Sequence, residues 1–230
     1  MNYNIIVAAG TGSRYGADLP KQFCLLGGRP LLMTTVERMR QLDSEATIIL
    51  VLSPEMMPMW EDMCRRHSFS PEDVIIAEGG ASRFESVRNA LALIPESCGG
   101  WISVHDGARP VLSKRLIDTL IAARTEEGKS HSGVLPVIPV TDTLRRMTPD
   151  GSVVVDRNSY RRVQTPQLFP AQKLLRAYKE AVGCSFTDDA SVMEAAGEQD
   201  ILLVEGDPRN IKVTNPGDIA IAELYLKEII

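Results

Sequence analysis

Residues 5–22 read IIVAAGTGSRYGADLPKQ. Ile5, Ile6, Val7, Ala8 and Ala9 form an apolar run of buried-strand length. It empties into a loop carrying Gly10, Gly12 and Gly16, with Arg14 inside the loop and Lys21 directly behind Pro20. Glycine lets a backbone pass close to a bulky anion, because no side chain intervenes and positive φ costs little. Two cations on the same loop point to a polyphosphate as that anion. The segment therefore has the profile of a nucleoside triphosphate loop.

Two commoner phosphate loops are excluded by the residues themselves. A Walker A loop needs Gly-Lys-Ser/Thr opening a helix, whereas Lys21 follows Pro20 and precedes Gln22. The dinucleotide fingerprint needs G-x-G-x-x-G running into a helix, with an acid about 20 residues on. Here the glycines fall at 10, 12 and 16, Pro20 would interrupt a helix begun at Gly12, and the next strand, Thr47–Leu52, ends in Ser53-Pro54.

Outward from this loop, strand and helix patterns alternate. Pro30 opens a helix to about Gln41, Thr47–Leu52 is a β-branched strand, and Ser53-Pro54 caps and starts a second helix. Val74–Ala77 reads as a strand, and Ser82 with Glu85 as an S-x-x-E capping box for a helix ending before Pro95. Trp101–Val104 is a strand ending at His105-Asp106, Ser113 caps a helix to about Glu127, and Gly133–Ile138 is a strand. Such alternation predicts an α/β fold with a mostly parallel sheet covered by helices on both faces. The rhythm breaks near Pro139. Residues 139–163 hold two polar, β-prone segments around Thr148-Pro149-Asp150-Gly151, a Pro-Asp-Gly turn. Lacking a full apolar face, this hairpin is expected to project as an arm and pack against another chain. The α/β pattern then resumes and ends in a helix from about Pro216.

Composition narrows the class. With 230 residues, the chain suits one domain burying roughly 70% or more of its unfolded surface. A net charge of −5 offers no basic surplus for nucleic acid. Cys24, Cys64, Cys98 and Cys184 are widely spaced, as expected of reduced thiols in a cytoplasmic protein, and His67, His105 and His131 form no zinc motif. No apolar stretch reaches the ~18 residues of a membrane span, so no membrane partner is expected.

Four clusters carry chemistry. The first is the loop just described. In the second, Glu78-Gly79-Gly80-Ala81-Ser82-Arg83 with Phe84, Glu85 and Ser86, Gly80 lets backbone reach a base, and Ser86 lies one helical turn on to hydrogen-bond it. The same residues also suit an ordinary strand-to-helix turn. In the third, His105-Asp106-Gly107-Ala108-Arg109-Pro110, a carboxylate at a strand end can hold Mg²⁺ or a substrate hydroxyl near phosphates. His105 itself reads as a structural group. The fourth is split between Thr141-Asp142-Thr143 with Asp156-Arg157 on the hairpin and Asn210–Thr214 near the end, where Arg157 and Lys212 can bind a second phosphate. Arg161 and Arg162 read as solvated charges.

Taken in order, AAGTGSRYG and PKQ, EGGASRFESV, VHDGARP, PVTDTLRR, VDRN, QTPQ, FTDDAS and NIKVTNPGD run through nearly the whole chain. This series closely resembles the 2-C-methyl-D-erythritol 4-phosphate cytidylyltransferases of the non-mevalonate isoprenoid pathway. The resemblance implies a single Rossmann-like nucleotidyltransferase domain, a three-layer sandwich whose arm exchanges contacts in a homodimer, with CTP, methylerythritol phosphate and Mg²⁺ as ligands. It implies transition-state stabilisation by Arg14 and Lys21, and acceptor positioning by Arg157 and Lys212, with Arg157 serving the partner subunit's site. It further implies CTP contacts from Ala8, Ala9, Gly10, Thr11, Gly12, Gly80, Ser86 and Asp106. Acceptor contacts fall to Asp106, Arg109, Thr143 and Thr165, and the metal to Asp106. Two departures stand out. Val7 replaces a proline often found before the loop, and Ala81 replaces an acid common after the paired glycines, so any side-chain role at 81 is lost.

The nearest rival is a ribitol 5-phosphate cytidylyltransferase. That group tends to carry AGG in the first loop and HDSVRP at the strand end, where this chain has Ala8-Ala9-Gly10 and HDGARP. A non-catalytic nucleotide-binding module on the same fold is a second alternative. It is disfavoured by the joint presence of Arg14, Lys21, Asp106, Arg157 and Lys212.

Overall fold

In the computed structural model, which describes residues 1–10, 19–125, 131–182 and 186–229, the strands and helices follow the alternation seen in the sequence. In chain order they are β1 (Tyr3–Val7), β2 (Leu25–Leu26), β3 (Arg29–Pro30), α1 (Leu31–Leu42), β4 (Thr47–Leu52), α2 (Met57–Arg66) and β5 (Val74–Glu78). There follow α3 (Arg83–Leu91), β6 (Trp101–Asp106), α4 (Lys114–Thr125), β7 (Gly133–Pro139), β8 (Leu144–Thr148) and β9 (Gly151–Val155). The chain closes with β10 (Arg161–Val163), β11 (Gln167–Pro170), α5 (Ala171–Glu180), α6 (Asp189–Ala195), β12 (Ile201–Glu205) and α7 (Gly217–Ile229). Short 3₁₀ turns at Lys21–Phe23, Pro54–Met56 and Arg157–Ser159 link them.

Eight strands form one sheet in the order β10-β7-β11-β6-β1-β4-β5, with β12 also paired to β7. β1 pairs in parallel with β4 and β6, and β4 with β5. The chain thus adds strands to one side of β1 and then crosses to the other. That places the topological switch at the carboxyl ends of β1 and β6, where open α/β sheets bind ligands. β11 runs antiparallel to β6 and β7, and β10 antiparallel to β7, which makes the sheet mixed at that side.

The strand period of two divides the core into two layers. Ile5, Ile49, Val51, Ile102 and Val104 face α3, α5 and α6, while Ile6, Ile48, Leu50 and Leu52 face α1, α2 and α4. Each fully buried side chain contributes about 1.5–3 kcal/mol. A smaller cluster seats α7 against Leu26, Leu31 and Val213. Among the described residues, no helix is long and apolar enough to cross a membrane.

The hairpin lies where it was expected. Among the described residues, β8 and β9 pair only with each other, Leu144 opposite Val155 and Thr148 opposite Gly151. The projection is shorter than 139–163, because Pro139 still belongs to β7 and Arg161–Val163 return to the main sheet as β10. Its outer surface exposes Met147 (77%) and Val154 (63%).

Two local expectations are realised differently. Ser53 precedes a 3₁₀ turn without a side-chain cap. Ser82 Oγ does accept from the Glu85 amide at 3.1 Å, while the Glu85 carboxylate lies nearest Arg88 at 3.9 Å.

Candidate active site

The carboxyl ends of β1, β5 and β6 border a cleft of about 690 Å³ lined by Ala8, Ala9, Gly10, Lys21, Gln22, Gly79, Gly80, Ser82, Arg83, Ser86, Asp106 and Lys212, among others. Glycine is required beside the first loop by close approach. A Cβ at Gly79 would lie 2.3 Å from Ala9 Cβ, and one at Gly107 would lie 2.9 Å from Ala8 Cβ. Backbone from three strands thereby converges on one wall. Gln22, buried, donates its Nε2 to the carbonyls of Ala8 and Gly10, both at 2.6 Å. Because carbonyl and amide point oppositely across a trans peptide, that bond turns the Ala9 N–H away from Gln22. Thr11, Gly12, Arg14 and Gly16 lie outside the described residues.

Asp106, the last residue of β6, is the electrostatic centre. Its Oδ2 faces Lys212 Nζ at 3.0 Å and Arg109 Nε at 3.3 Å, and its Oδ1 faces Arg83 Nε at 3.8 Å. Burial acts to raise its pKa. The charges of Lys212, Arg83 and Arg109 outweigh that and hold it well below the usual carboxylate range. Lys21 reaches the same cleft, donating from Nζ to the Val213 carbonyl at 3.2 Å. A carboxylate surrounded by cations in a glycine-walled cleft suits a polyphosphate.

His105 and Thr165 build the floor. His105 Nε2 pairs with the Arg109 carbonyl at 2.9 Å, which makes Nε2 the protonated nitrogen and leaves Nδ1 to accept from Thr165 Oγ1 at 2.9 Å. Thr165 Oγ1 in turn accepts the Asp106 amide at 3.0 Å. Asn210 donates Nδ2 to the Thr165 carbonyl at 2.8 Å, and its own carbonyl accepts from Arg109 Nη1 at 2.9 Å. This network ties the Lys212 segment to β6. His105 is therefore structural, as its position at a strand end suggested.

Burial pushes the pKa of His105 down to about 4 from 6.5. As pH falls through 6.5 the unfolded chain takes up a proton that the folded chain refuses until about 4. Stability is therefore expected to fall across that window by about 3 kcal/mol. Urea titrations of wild type and His105→Gln at several pH values check this. The variant should show a flatter slope between pH 6.5 and 4, whatever its absolute stability.

Of the residues expected in the site, Ala8, Ala9, Gly10, Lys21, Gly80, Ser86, Asp106 and Lys212 line one cleft, and Arg109 and Thr165 support it from behind. Thr143 and Arg157 do not reach it. Both are exposed on the arm, and Arg157 donates to the Thr141 carbonyl. Gly80 and Ser86 are bonded to each other, the Gly80 amide donating to Ser86 Oγ at 3.0 Å, while the Ser86 hydroxyl donates to the Ser82 carbonyl at 2.9 Å. Three contributors had no assigned role in the sequence reading: Gln22, Arg83 and Asn210. Their signal was limited to their places inside PKQ, EGGASRF and NIKVT, because what each touches lies elsewhere in the chain.

Comparison with known proteins supplies the family. The sequence profile of the 2-C-methyl-D-erythritol 4-phosphate cytidylyltransferases matches residues 3–228. The enzyme of that name from Phocaeicola vulgatus is 45% identical over 222 residues, covering 96% of this chain and 98% of its own. A crystal structure of a 4-diphosphocytidyl-2C-methyl-D-erythritol synthase superposes with a TM-score of 0.78 at 31% identity, with 98% of both chains covered. The 2-C-methyl-D-erythritol 4-phosphate cytidylyltransferase from Thermus thermophilus gives 0.74 at 30% identity over 99% of this chain and 100% of its own. The chain belongs to the 2-C-methyl-D-erythritol 4-phosphate cytidylyltransferase family of nucleotidyltransferases, with the Rossmann-like fold of that family.

Proposed function

We infer that this enzyme transfers a cytidylyl group from CTP to 2-C-methyl-D-erythritol 4-phosphate, releasing pyrophosphate. The observation that carries the reading is the cleft at the β1/β6 switch point, which Lys21, Asp106 and Lys212 line together, with Lys212 Nζ 3.0 Å from the Asp106 carboxylate. A phosphomonoester carries about −1.5 to −2 charges at pH 7, so its oxygen is already a nucleophile and needs no general base. That oxygen attacks the α-phosphorus of CTP. As the new P–O bond forms, the bond from the α-phosphorus to the bridging oxygen breaks, and pyrophosphate leaves with the electron pair. The difficulty is bringing two anions together, so the protein must supply positive charge and in-line geometry. Lys21, with Arg14, neutralises the triphosphate and the departing pyrophosphate, and the Ala9 amide adds a backbone donor. Lys212 draws the acceptor phosphate toward the same point.

The base is read beside α3. The Ser86 hydroxyl already donates its proton to Ser82 and accepts the Gly80 amide, so one lone pair remains. A residual acceptor suits the exocyclic amino group of cytosine, which is a donor, and not the carbonyl oxygen in the same place on uracil.

Mg²⁺ fits as a cation shared with the triphosphate. Among the described residues, no group of three or more His, Cys, Asp or Glu side chains could hold a metal alone. One carboxylate completed by phosphate oxygens and water is the usual Mg²⁺ arrangement, and Asp106 offers it. When bound, the ion would offset charge on the substrate's phosphates.

Arg157 and Thr143 lie on the arm and outside the cleft of their own chain, and the arm exposes apolar side chains. We read the arm as a homodimerisation element that carries both residues into a second copy's cleft, where they and Arg109 and Thr165 would position the acceptor. On this reading Arg157→Ala is expected to raise KM for the acceptor by roughly tenfold or more with little change in KM for CTP, a loss of about 1.4 kcal/mol or more. Steady-state kinetics with each substrate varied check it, and unchanged acceptor kinetics would remove the assignment. Cytoplasmic location is proposed from the free, separated thiols of Cys24, Cys64 and Cys98.

The deciding experiment is pyrophosphate release from CTP and Mg²⁺ with methylerythritol 4-phosphate and ribitol 5-phosphate in parallel. Release with the first alone is expected. Release with the second would keep the chemistry and change the acceptor. CTP binding without release from either would reduce the protein to a binding module.

A further inference from the structure

Resting on the reading of Asp106 given above, we propose that Asp189 is a positioning residue. It tethers Arg83 just short of Asp106, so that Asp106 Oδ1 is left open to a ligand. The two oxygens of Asp106 are not equivalent. Oδ2 is engaged by Lys212 at 3.0 Å and Arg109 at 3.3 Å. Among the described residues, Oδ1 accepts no hydrogen bond, and it faces Arg83 Nε at 3.8 Å. That distance lies beyond hydrogen-bond range but well within useful Coulombic attraction. Arg83 thus lends its charge without occupying a lone pair.

What holds Arg83 back is a buried assembly on the far side of its guanidinium. Its Nη2 donates to Asp189 Oδ2 at 2.6 Å, and the other oxygen of Asp189 accepts the Tyr178 hydroxyl at 2.6 Å. Asp189 is 0% exposed, so its charge is tolerable only with these partners. Each member is itself fixed. Asp189 opens α6, whose N-cap Asp188 forms a capping box with Ser191. Gln167 of β11 donates to Asp188 Oδ2 at 2.9 Å and accepts the Ala190 amide at 3.2 Å, pinning that helix end to the sheet. Tyr178 stacks on Phe84, the neighbour of Arg83, with ring centroids 4.9 Å apart. Burial works against the Arg83 charge, and Asp189 and Asp106 more than offset it. The guanidinium is therefore a fixed cation shared by two carboxylates and bonded to only one.

Asp189→Asn tests this. The neutral amide should release Arg83, which then closes on Asp106 Oδ1 and caps it. The expected result is a fall of roughly tenfold or more in kcat/KM for pyrophosphate release, in protein whose folding is verified by circular dichroism. A crystal structure of the variant should show Arg83 within about 3.2 Å of Oδ1. Adding Arg83→Gln to Asp189→Asn should recover part of the loss, since the capping group is gone. Three results would overturn the proposal: unchanged kinetics in folded Asp189→Asn, Arg83 still at its original distance, or a folded double variant no more active than the single one. Should Asp189→Asn fail to fold, Tyr178→Phe removes one hydrogen bond and keeps the charge. A several-fold loss is then expected, and unchanged kinetics would sink the idea. If wild-type enzyme released no pyrophosphate at all, the functional reading would fail, and the crystallographic distance would still judge the tether.

Discussion

Replacing Lys21 by alanine is expected to lower kcat on the order of 10²–10³-fold, the scale of losing one preorganised charge-stabilising donor, with a much smaller effect on CTP affinity. Lys21 opens the 3₁₀ turn behind Pro20, and its Nζ reaches across to the Val213 carbonyl at 3.2 Å. That bond joins the first loop to the segment carrying Lys212, so the ammonium is prepositioned before substrate arrives. A fixed cation of this kind does most where charge grows, on the bridging oxygen as pyrophosphate departs. Ground-state CTP retains its other contacts and should bind nearly as before. Calorimetric CTP binding and single-turnover rates separate the two quantities. Equal losses in both would mean that Lys21 only binds the ground state.

Asp106→Asn is expected to be comparably severe for a different reason. The substitution removes an anion that Lys212, Arg109 and Arg83 all face. Breaking a buried pair costs about 3–5 kcal/mol. The lower end is expected here, because Lys212 is 45% exposed and can regain water. Urea unfolding reads this term. In catalysis the loss should reach roughly 100-fold, as for other supports of a metal–phosphate site, and the Mg²⁺ dependence should weaken. CTP binding in EDTA should be unchanged or tighter, since the cleft has become more positive. Weaker metal-free binding would show that Asp106 acts through the nucleoside and not through the charge balance.

Both results depend on features that differ in how far the sequence announces them. Local pattern was enough for the first half of the fold. Ile5-Ile6-Val7 and Thr47–Leu52 are apolar on both faces, as strands covered by helices on each side must be, and glycines with Pro20 punctuate the exit from β1. The strands that pattern under-described are those whose neighbours are remote. Gln167–Pro170 became β11, antiparallel between β6 and β7, and Arg161–Val163 joined β7 as β10. Nothing in four or three residues encodes direction, which is set by the strands already in place.

The sequence by itself determined the class of sheet, the place of the glycine-rich loop behind β1, and which residue types are candidates to serve a polyphosphate, because these follow from local periodicity and from the conformational freedom of glycine. Only the tertiary structure decided that Arg83, Arg109 and Lys212 would meet at Asp106, and that Asp189 would pair with Arg83. Charge pairing is a matter of ångströms between side chains as much as a hundred residues apart, and strand order, fixed by packing of the whole sheet, sets those distances.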